Sequence, residues 1–191
     1  MAIDVLERTY TVQEYLDLEK KSEVKHEYHY GKLIPMAGEK RKANRIVGNL
    51  YLAWGNALLQ RGYDIYSHDV KAGIDPEHLY RYPDLMVAPL NPDAGDEYIV
   101  FDPVLLVEVA SEDSWSKDRS KKLKEYTNVP SVLYYLLIFQ EEMYAELHSR
   151  DNVKWTYEIY TAPEEIIELP KLDIQISLAQ IYNFVKLNST Q

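Results

Sequence analysis

Two acidic residues stand in apolar, strand-like surroundings near the middle of this 191-residue chain. Asp84 follows a proline and precedes the apolar run LMVAP, and Glu108 follows the apolar run VLLV. An ionised carboxylate in such surroundings costs free energy unless it is paired or binds a cation. Two acids of this kind therefore predict a metal site.

A basic segment with helical periodicity follows the second acid. The pattern predicts a helix from Trp115 to Asn128. Asp118, Lys122 and Tyr126 are spaced at i, i+4 and i+8, so they share one face of that helix. On the residues alone, an i, i+4 Asp-Lys pair on a solvated helix is the commoner meaning of this spacing.

The order of these residues resembles a known group of enzymes. A Pro-Asp step, an acid within VEVAS 24 residues later and the pattern D-x-x-x-K-x-x-x-Y are similar to the PD-(D/E)XK nuclease superfamily. Within it they resemble the Uma family of putative restriction endonucleases. The likeness continues through EYHYGKLIPMAG before the site and NVPSVLYYLLI after it, so it covers the chain from about Thr11 to Phe184.

The resemblance implies an α/β fold with a restriction-endonuclease-like core, in which helices flank a mixed, twisted β-sheet. One domain is expected to span residues 1–191. The strands that carry Asp84 and Glu108 should be central, because the run VLLVEVA is apolar on both faces. A helix over residues 41–60, with apolar residues at helical spacing, should cover one face of the sheet.

The activity implied by the resemblance is metal-assisted hydrolysis of phosphodiester bonds, with Asp84, Glu108 and Lys122 as the catalytic residues. Asp84 and Glu108, with the carbonyl of Val109 and with Glu27, would hold Mg²⁺ or Mn²⁺, which prefer oxygen ligands. Lys122 would orient the attacking water or help to deprotonate it, and would stabilise the developing charge.

Further positions of the motif have implied supporting roles. Asp118 and Tyr126 would support Lys122, and Ser111 would support Glu108. The sequence departs from the superfamily's acid-x-Lys signature, because Ala110 stands two residues after Glu108. In the Uma family the lysine is carried by the following helix, and Lys122 is its match.

A second departure concerns the start of the 41–60 helix. The Uma family has a histidine there, but this chain has Ala43, followed by Asn44. Asn44 is a candidate substitute for the histidine.

The charge of the chain bears on its partners. A net charge of −10 argues against a protein that coats nucleic acid non-specifically. Basic residues are nevertheless concentrated in two short stretches, which either are solvated helix ends or form a local basic rim. The candidate nucleic-acid-binding residues are Lys40, Arg41, Lys42, Arg45, Lys117 and Lys121. DNA is the expected partner.

Composition limits the other possibilities. The chain has no cysteine, which excludes disulfides and thiolate metal sites. It has no apolar run long enough for a signal peptide or a membrane span, so we expect a cytoplasmic protein without a membrane partner. We expect a homodimer, because two-fold dimers are the commonest oligomers and two copies would bring two sites to one duplex.

The remaining elements follow from periodicity and turn residues. A capping box at Thr11 begins a first helix, a hairpin covers Val24–Ala37, and a meander of three strands follows the helix predicted at Trp115–Asn128. Ser177 should cap a C-terminal helix over LAQIYNFV.

Two longer strands are expected at Asp64–Ile74 and Leu79–Pro89. Asp69 and Lys71 share a face of the first strand, where they would either reach the site or, as we favour, form a surface pair.

Two other classes of function remain open. The domain could be a degenerate nuclease fold that binds nucleic acid without cleaving it, as the missing histidine and acid-x-Lys lysine would allow. It could also be a protein-interaction module, which a net charge of −10 would permit.

Overall fold

The computed structural model describes residues 8–36, 38–91 and 96–187. Its main layer is a six-stranded sheet in the order β11-β10-β9-β8-β6-β3. These strands are β3 Tyr63–Ser67, β6 Leu85–Pro89, β8 Leu105–Ala110, β9 Tyr134–Phe139, β10 Ala145–Asp151 and β11 Lys154–Tyr160. The pair β8 and β9 is parallel, and the other neighbours are antiparallel. The α/β fold class with a mixed sheet is therefore confirmed.

A second sheet of five strands has the order β2-β1-β5-β4-β7. Its strands are β1 His26–His29, β2 Lys32–Pro35, β4 Lys71–Asp75, β5 Leu79–Arg81 and β7 Ile99–Val100. β1 and β2 form the predicted hairpin, whose predicted last residue, Ala37, lies outside the described residues. Two further strands, β12 Ile166–Leu169 and β13 Ile174–Ser177, pair with each other.

The two long strands predicted before Pro89 are each broken. Asp64–Ile74 forms β3 and β4, which belong to different sheets, because His68 between them takes a left-handed backbone conformation (φ 57°). Leu79–Pro89 forms β5 and β6, separated at Pro83, which has no N–H to donate to a ladder. Asp84 consequently lies where the chain passes from one sheet to the other.

Helices cover both faces of the six-stranded sheet. α1 Val12–Glu19 begins at the predicted capping box and lies by the five-stranded sheet. α2 Arg41–Gln60 packs its apolar stripe, which includes Leu50 and Trp54, against alternate residues of the six-stranded sheet such as Leu105 and Val107. The opposite face, with Leu106 and Leu137, packs under Tyr126. Glu108 shares this second face, because side chains alternate along a strand.

The helix predicted at Trp115–Asn128 begins earlier and is not uniform. It consists of α3 Glu112–Lys117, a π-helical segment Asp118–Lys122 and α4 Leu123–Thr127. The predicted C-terminal helix is shorter than expected, because α5 comprises only Leu178–Ile181. Tyr182 follows it, and its hydroxyl donates to the Phe139 carbonyl (2.5 Å). Within the described ranges, no helix is long and apolar enough to cross a membrane.

The contact between α2 and the sheet supplies a test of the fold. Leu50 is fully buried on this helix, whereas Leu52 is 80% exposed. Leu50→Ala should lower the free energy of unfolding by about 2–5 kcal/mol, because it removes apolar contacts and leaves a cavity. Leu52→Ala should stay within about 0.5 kcal/mol of the parent. Urea denaturation measures both, and equal effects would contradict the packing.

Candidate active site

Asp84 and Glu108 come from adjoining strands of the six-stranded sheet. The antiparallel register pairs Leu85 of β6 with Val107 of β8, which places the two acids side by side at one end of that pair. The Val109 N–H donates to Asp84 Oδ2 (2.6 Å), so the backbone of β8 fixes the Asp84 carboxylate. Glu108 is buried, with 3% of its surface exposed.

Lys122 reaches Glu108 from the helix that crosses the end of β8. Its Nζ lies 2.7 Å from Glu108 Oε2 and 3.2 Å from Asp118 Oδ1. The Tyr126 hydroxyl donates to the other carboxylate oxygen, Glu108 Oε1 (2.6 Å). Lys122 and Tyr126 thus converge on one buried acid, and Asp118 contacts Lys122. The Asp118–Lys122 pair that the spacing favours does form, but both side chains are buried rather than solvated.

The charges of these groups are strongly coupled. Burial raises the pKa of Asp84 well above its ordinary value, and the neighbouring charge of Glu108 raises it further. Burial also raises the pKa of Glu108, to about 7, even though Lys122 and Tyr126 favour its ionised form. For Lys122, burial lowers the pKa, but the charges of Glu108 and Asp118 outweigh it and the net effect is a raised pKa. The site therefore favours added positive charge.

Glu27 lies beside this cluster in a different set of contacts. Its carboxylate is bonded by the guanidinium of Arg81, which is fully buried, and Lys117 Nζ lies 3.4 Å from Glu27 Oε2. Arg81 also donates from Nε and Nη2 to Glu125 (2.8–3.0 Å). Burial raises the pKa of Glu27, but Lys122, Arg81 and Lys117 outweigh it and hold it below its ordinary value. Glu27 is thus already neutralised by protein cations.

Sequence reasoning did not single out Glu39 and His68, which the structure brings to Asp84. One ligand atom from each of these three side chains lies within 4.8 Å of the others, and His68 Nδ1 is 2.9 Å from Glu39 Oε1. Their only sequence signal is the SHD turn before the Pro-Asp step and the position of Glu39 just before α2. The backbone break at His68 turns its imidazole into the site.

The start of α2 carries no histidine, and neither residue at that place reaches the acids. Ala43 is buried in the core on the side of the sheet that α2 covers, and Asn44 is exposed. The imidazole near Asp84 comes instead from the turn between β3 and β4, where His68 lies. A histidine at another point of the chain thus occupies the neighbourhood of the acids.

The other predicted site residues are placed as follows. Ser111 is the N-cap of α3, and its N–H donates to Ser114 Oγ (3.0 Å). Lys42 bonds to Glu141 (2.6 Å), and Lys117 is the Glu27 partner. The remaining candidate basic residues have exposed side chains: Lys40, Arg41, Arg45 and Lys121.

Comparison with known proteins gives the family. The family model Uma2, described as "Putative restriction endonuclease", matches residues 12–180. The chain belongs to the Uma2 family. Two relatives from Synechocystis sp. are similar to this chain. "Uncharacterized protein sll1609" is 33% identical over 68% of this chain and 75% of its own length. "Uncharacterized protein slr1290" is 28% identical over 89% of this chain and 90% of its own length.

A solved structure shows the same fold. The crystal structure of a putative nuclease belonging to DUF820, from Anabaena variabilis, superposes with a TM-score of 0.74. The match covers 93% of this chain and 99% of that one at 18% identity. The expected nuclease-like architecture is therefore confirmed for this Uma2 member.

Arg81 provides a test of the contacts around the site. Arg81→Met should lower the free energy of unfolding by about 3–5 kcal/mol, because it leaves the Glu27 and Glu125 carboxylates without their buried cation. Arg61→Met is the matched control, since the partner of Arg61, Asp173, has an 81% exposed side chain, and it should cost less than about 1 kcal/mol. Urea denaturation at pH 7 compares the two variants. Similar losses of unfolding free energy would contradict the role of Arg81 as the buried cation of Glu27 and Glu125.

Proposed function

We propose that this protein is a metal-dependent endonuclease that hydrolyses phosphodiester bonds of nucleic acid, with Asp84, Glu108 and Lys122 as its catalytic residues. The observation that carries the proposal is the contact of Lys122 Nζ with Glu108 Oε2 (2.7 Å) next to Asp84. Acids on adjoining strands and a lysine from the helix that crosses the end of β8 provide the cation ligands and the charged group that such hydrolysis requires.

The residues present fit a divalent cation. Asp84 and Glu108 are neighbouring acids whose pKa values are raised by burial, so a cation would favour their ionised forms. Carboxylate and carbonyl oxygens suit Mg²⁺ and Mn²⁺, and the Val109 carbonyl is the expected third ligand. Glu27, which Arg81 and Lys117 already bond, is better suited to positioning the cluster than to direct ligation.

His68 and Glu39 bear on which cation is preferred. Imidazole is a ligand for Mn²⁺ and later metals more than for Mg²⁺, which demands oxygen. With one ligand atom each from Glu39, His68 and Asp84 within 4.8 Å of one another, a cation held there would have mixed nitrogen and oxygen ligands. This favours Mn²⁺ over Mg²⁺.

The reaction divides among the residues as follows. A bound cation supplies electrophilic activation of the phosphate and acidification of water. Lys122 orients the attacking water and stabilises the charge that develops on the phosphate. Asp118 and Tyr126 hold Lys122 and Glu108 in position through their contacts of 3.2 and 2.6 Å.

The expected substrate is DNA, approached from the start of α2. This 20-residue helix begins two residues after Glu39, and no side chain caps its first turn. The positive end of a helix and its unpaired N–H groups favour a phosphate. The exposed side chains of Lys40, Arg41 and Arg45 add a basic rim at the same end.

Metal binding and cleavage can be separated by variants. Mn²⁺ at a hundred times its Kd should stabilise the fold by about 2.7 kcal/mol and raise the melting temperature. Asp84→Asn should abolish that response, because it removes a ligand charge. Lys122→Met should keep the response yet lose cleavage of plasmid or single-stranded DNA by about a hundredfold or more.

Three outcomes discriminate between the classes of function. The proposal is supported if the parent cleaves nucleic acid, if EDTA stops this cleavage, and if neither variant cleaves. Metal-dependent melting with nucleic-acid binding but no cleavage in Mg²⁺ or Mn²⁺ favours a degenerate binding domain. Failure to bind DNA or RNA at low salt favours a protein-interaction module.

We also propose a homodimer. β11 ends the strand order of the six-stranded sheet, and its Tyr157 and Ile159 side chains are 61% and 43% exposed. An exposed edge strand with apolar side chains readily pairs with another strand, and two copies related by a two-fold axis can pair edge to edge.

Light scattering tests the dimer. The parent should give about twice 22.3 kDa, and Ile159→Lys should give the monomer mass, because a charge would be buried at the pairing edge. Val153→Lys, at a 90% exposed position in the turn before β11, should leave the dimer intact. A mass of 22.3 kDa for the parent at all concentrations would contradict the proposed dimer.

A further inference from the structure

A cavity of about 650 Å³ lies between α1, β4 and β7, beside the candidate active site. Tyr82 and Asp69 line it, and these residues are close in sequence to Asp84 and His68 respectively. A volume of this size falls in the range of small-molecule binding sites.

Lys71 on the cavity wall is an unusual residue for such a place. It is only 6% exposed, and its Nζ lies 5.4 Å from the ring centroid of Tyr82 and 5.7 Å from that of Tyr98. The predicted surface pair with Asp69 does not form, because Asp69 bonds to Lys25 instead. Lys71 is held between two aromatic rings.

The ammonium group of Lys71 has no close carboxylate to compensate its charge. Across residues 8–36, 38–91 and 96–187, no carboxylate oxygen lies within 4.0 Å of its Nζ. Burial lowers the pKa of Lys71, while the more distant charges of Glu19 and Asp96 act in the opposite direction. The Lys71 Nζ makes no hydrogen bond to the side chains or backbone of the residues that the structure describes, so its donors are open to an acceptor in the cavity. A hydrogen bond from an ammonium group is a strong one, and such an acceptor would be bound favourably.

The other charges of the cavity select the kind of ligand. The lining is of mixed charge, because four acids (Glu19, Asp69, Asp96 and Glu97) and two further lysines (Lys20 and Lys25) accompany Lys71. The charges nearly balance, so the cavity favours no highly charged ligand. Asp96 lines the same cavity as Lys71 and is near enough for its charge to raise the Lys71 pKa, and its Oδ1 accepts the Tyr98 N–H (2.8 Å). A neutral ligand with an acceptor for Lys71 and donors for a carboxylate fits better.

Tyr98 adds an aromatic surface. Its ring lines the cavity and is still 55% exposed, so a flat ligand can reach one face of it. Stacking on tyrosine is a common way for proteins to bind unpaired bases.

We propose that this cavity binds an unpaired nucleobase of the substrate, with a preference for guanine. Lys71 donates to the guanine O6, the Asp96 carboxylate accepts from the N1–H and the N2 amino group, and Tyr98 stacks on the ring. Adenine places an amino donor where Lys71 requires an acceptor, and thymine and uracil lack the amino donor for Asp96. That the base belongs to a substrate rests on the proposed nuclease function, whereas base binding by the cavity does not.

The test is equilibrium binding in EDTA by calorimetry, with GMP, AMP, CMP, UMP and ribose 5-phosphate as probes. GMP should bind the parent about tenfold more tightly than AMP, CMP and UMP, because a bidentate hydrogen-bonded contact discriminates between bases by about that factor. It should exceed ribose 5-phosphate by at least as much, because ribose 5-phosphate also lacks the ring that stacks. Lys71→Met and Tyr98→Ala should each weaken GMP binding about tenfold or more. Lys154→Met, at an exposed position of β11, is the matched control and should bind as the parent does.

Melting temperatures distinguish loss of the base pocket from loss of the fold. A melting temperature of Lys71→Met at or above the parent's shows that weaker binding is not unfolding, since methionine fills the same space without a buried charge. If Lys71→Met melts early, Tyr98→Ala, at an exposed ring, carries the test. Equal binding of GMP and ribose 5-phosphate, or unchanged GMP binding in both variants, overturns the base pocket.

The same measurements keep the two proposals apart. In one outcome the parent binds GMP, both pocket variants lose this binding, and the parent cleaves no nucleic acid in Mg²⁺ or Mn²⁺. This outcome supports the base-binding site and contradicts the nuclease function. In the opposite outcome the parent cleaves nucleic acid in a metal-dependent way but shows no preference for GMP. This outcome contradicts the base-binding site and supports the nuclease function.

Discussion

The ion pair between Glu108 and Lys122 joins the central strand β8 to the helix that crosses its end. All six residues of β8 are buried, so an ionised acid in this strand needs a partner that is brought to it. Lys122 supplies the opposite charge and Tyr126 supplies a hydrogen bond, both from the same helical face. Removing either partner would leave a buried acid poorly compensated, and therefore the position of the helix and the chemistry of the site depend on the same contacts.

A second constraint is the passage of the chain between the two sheets at Pro83. Before the proline, Arg81 belongs to the five-stranded sheet, where it neutralises Glu27 and Glu125. After it, Asp84 lies beside Glu108 at the start of β6. The segment from Arg81 to Asp84 thus contributes to two clusters. Arg81 compensates the charges of Glu27 and Glu125, whereas the charges of Asp84 and Glu108 are less fully compensated. The difference in compensation is the reason that a cation is expected at Asp84 rather than at Glu27.

The acidic character of the protein is compatible with a nucleic-acid substrate because its charges are unevenly distributed. Several of the acids are buried in or near the site, and some of the basic residues pair with acids, as Lys42 does with Glu141. The exposed Lys40, Arg41 and Arg45 remain at the start of α2, close to Glu39. An electrostatic surface of this kind would bind locally rather than along a whole duplex, and its binding would weaken with salt.

The sequence by itself determined the class of the fold and most of its elements. Alternation and apolar runs located β8, β9 and β10, and helical spacing located α2, because burial on one or both faces is a local property of the pattern. The stripe of Asp118, Lys122 and Tyr126 was also visible, since i, i+4 neighbours share a helical face whatever the rest of the chain does. The Uma2 resemblance indicated which acids belonged with that stripe.

Only the tertiary structure decided which residues meet across elements. His68 and Glu39 are distant in sequence from each other and from Asp84, and the left-handed backbone at His68 that directs the imidazole to Asp84 has no strong sequence signal. Asp69 and Lys71 look like a pair because they are two residues apart on an expected strand, but the break at His68 separates their partners. Lys25 bonds to Asp69, and two tyrosine rings from elsewhere in the chain enclose Lys71. Contacts of this kind depend on how strands are distributed between sheets, which a local pattern cannot specify.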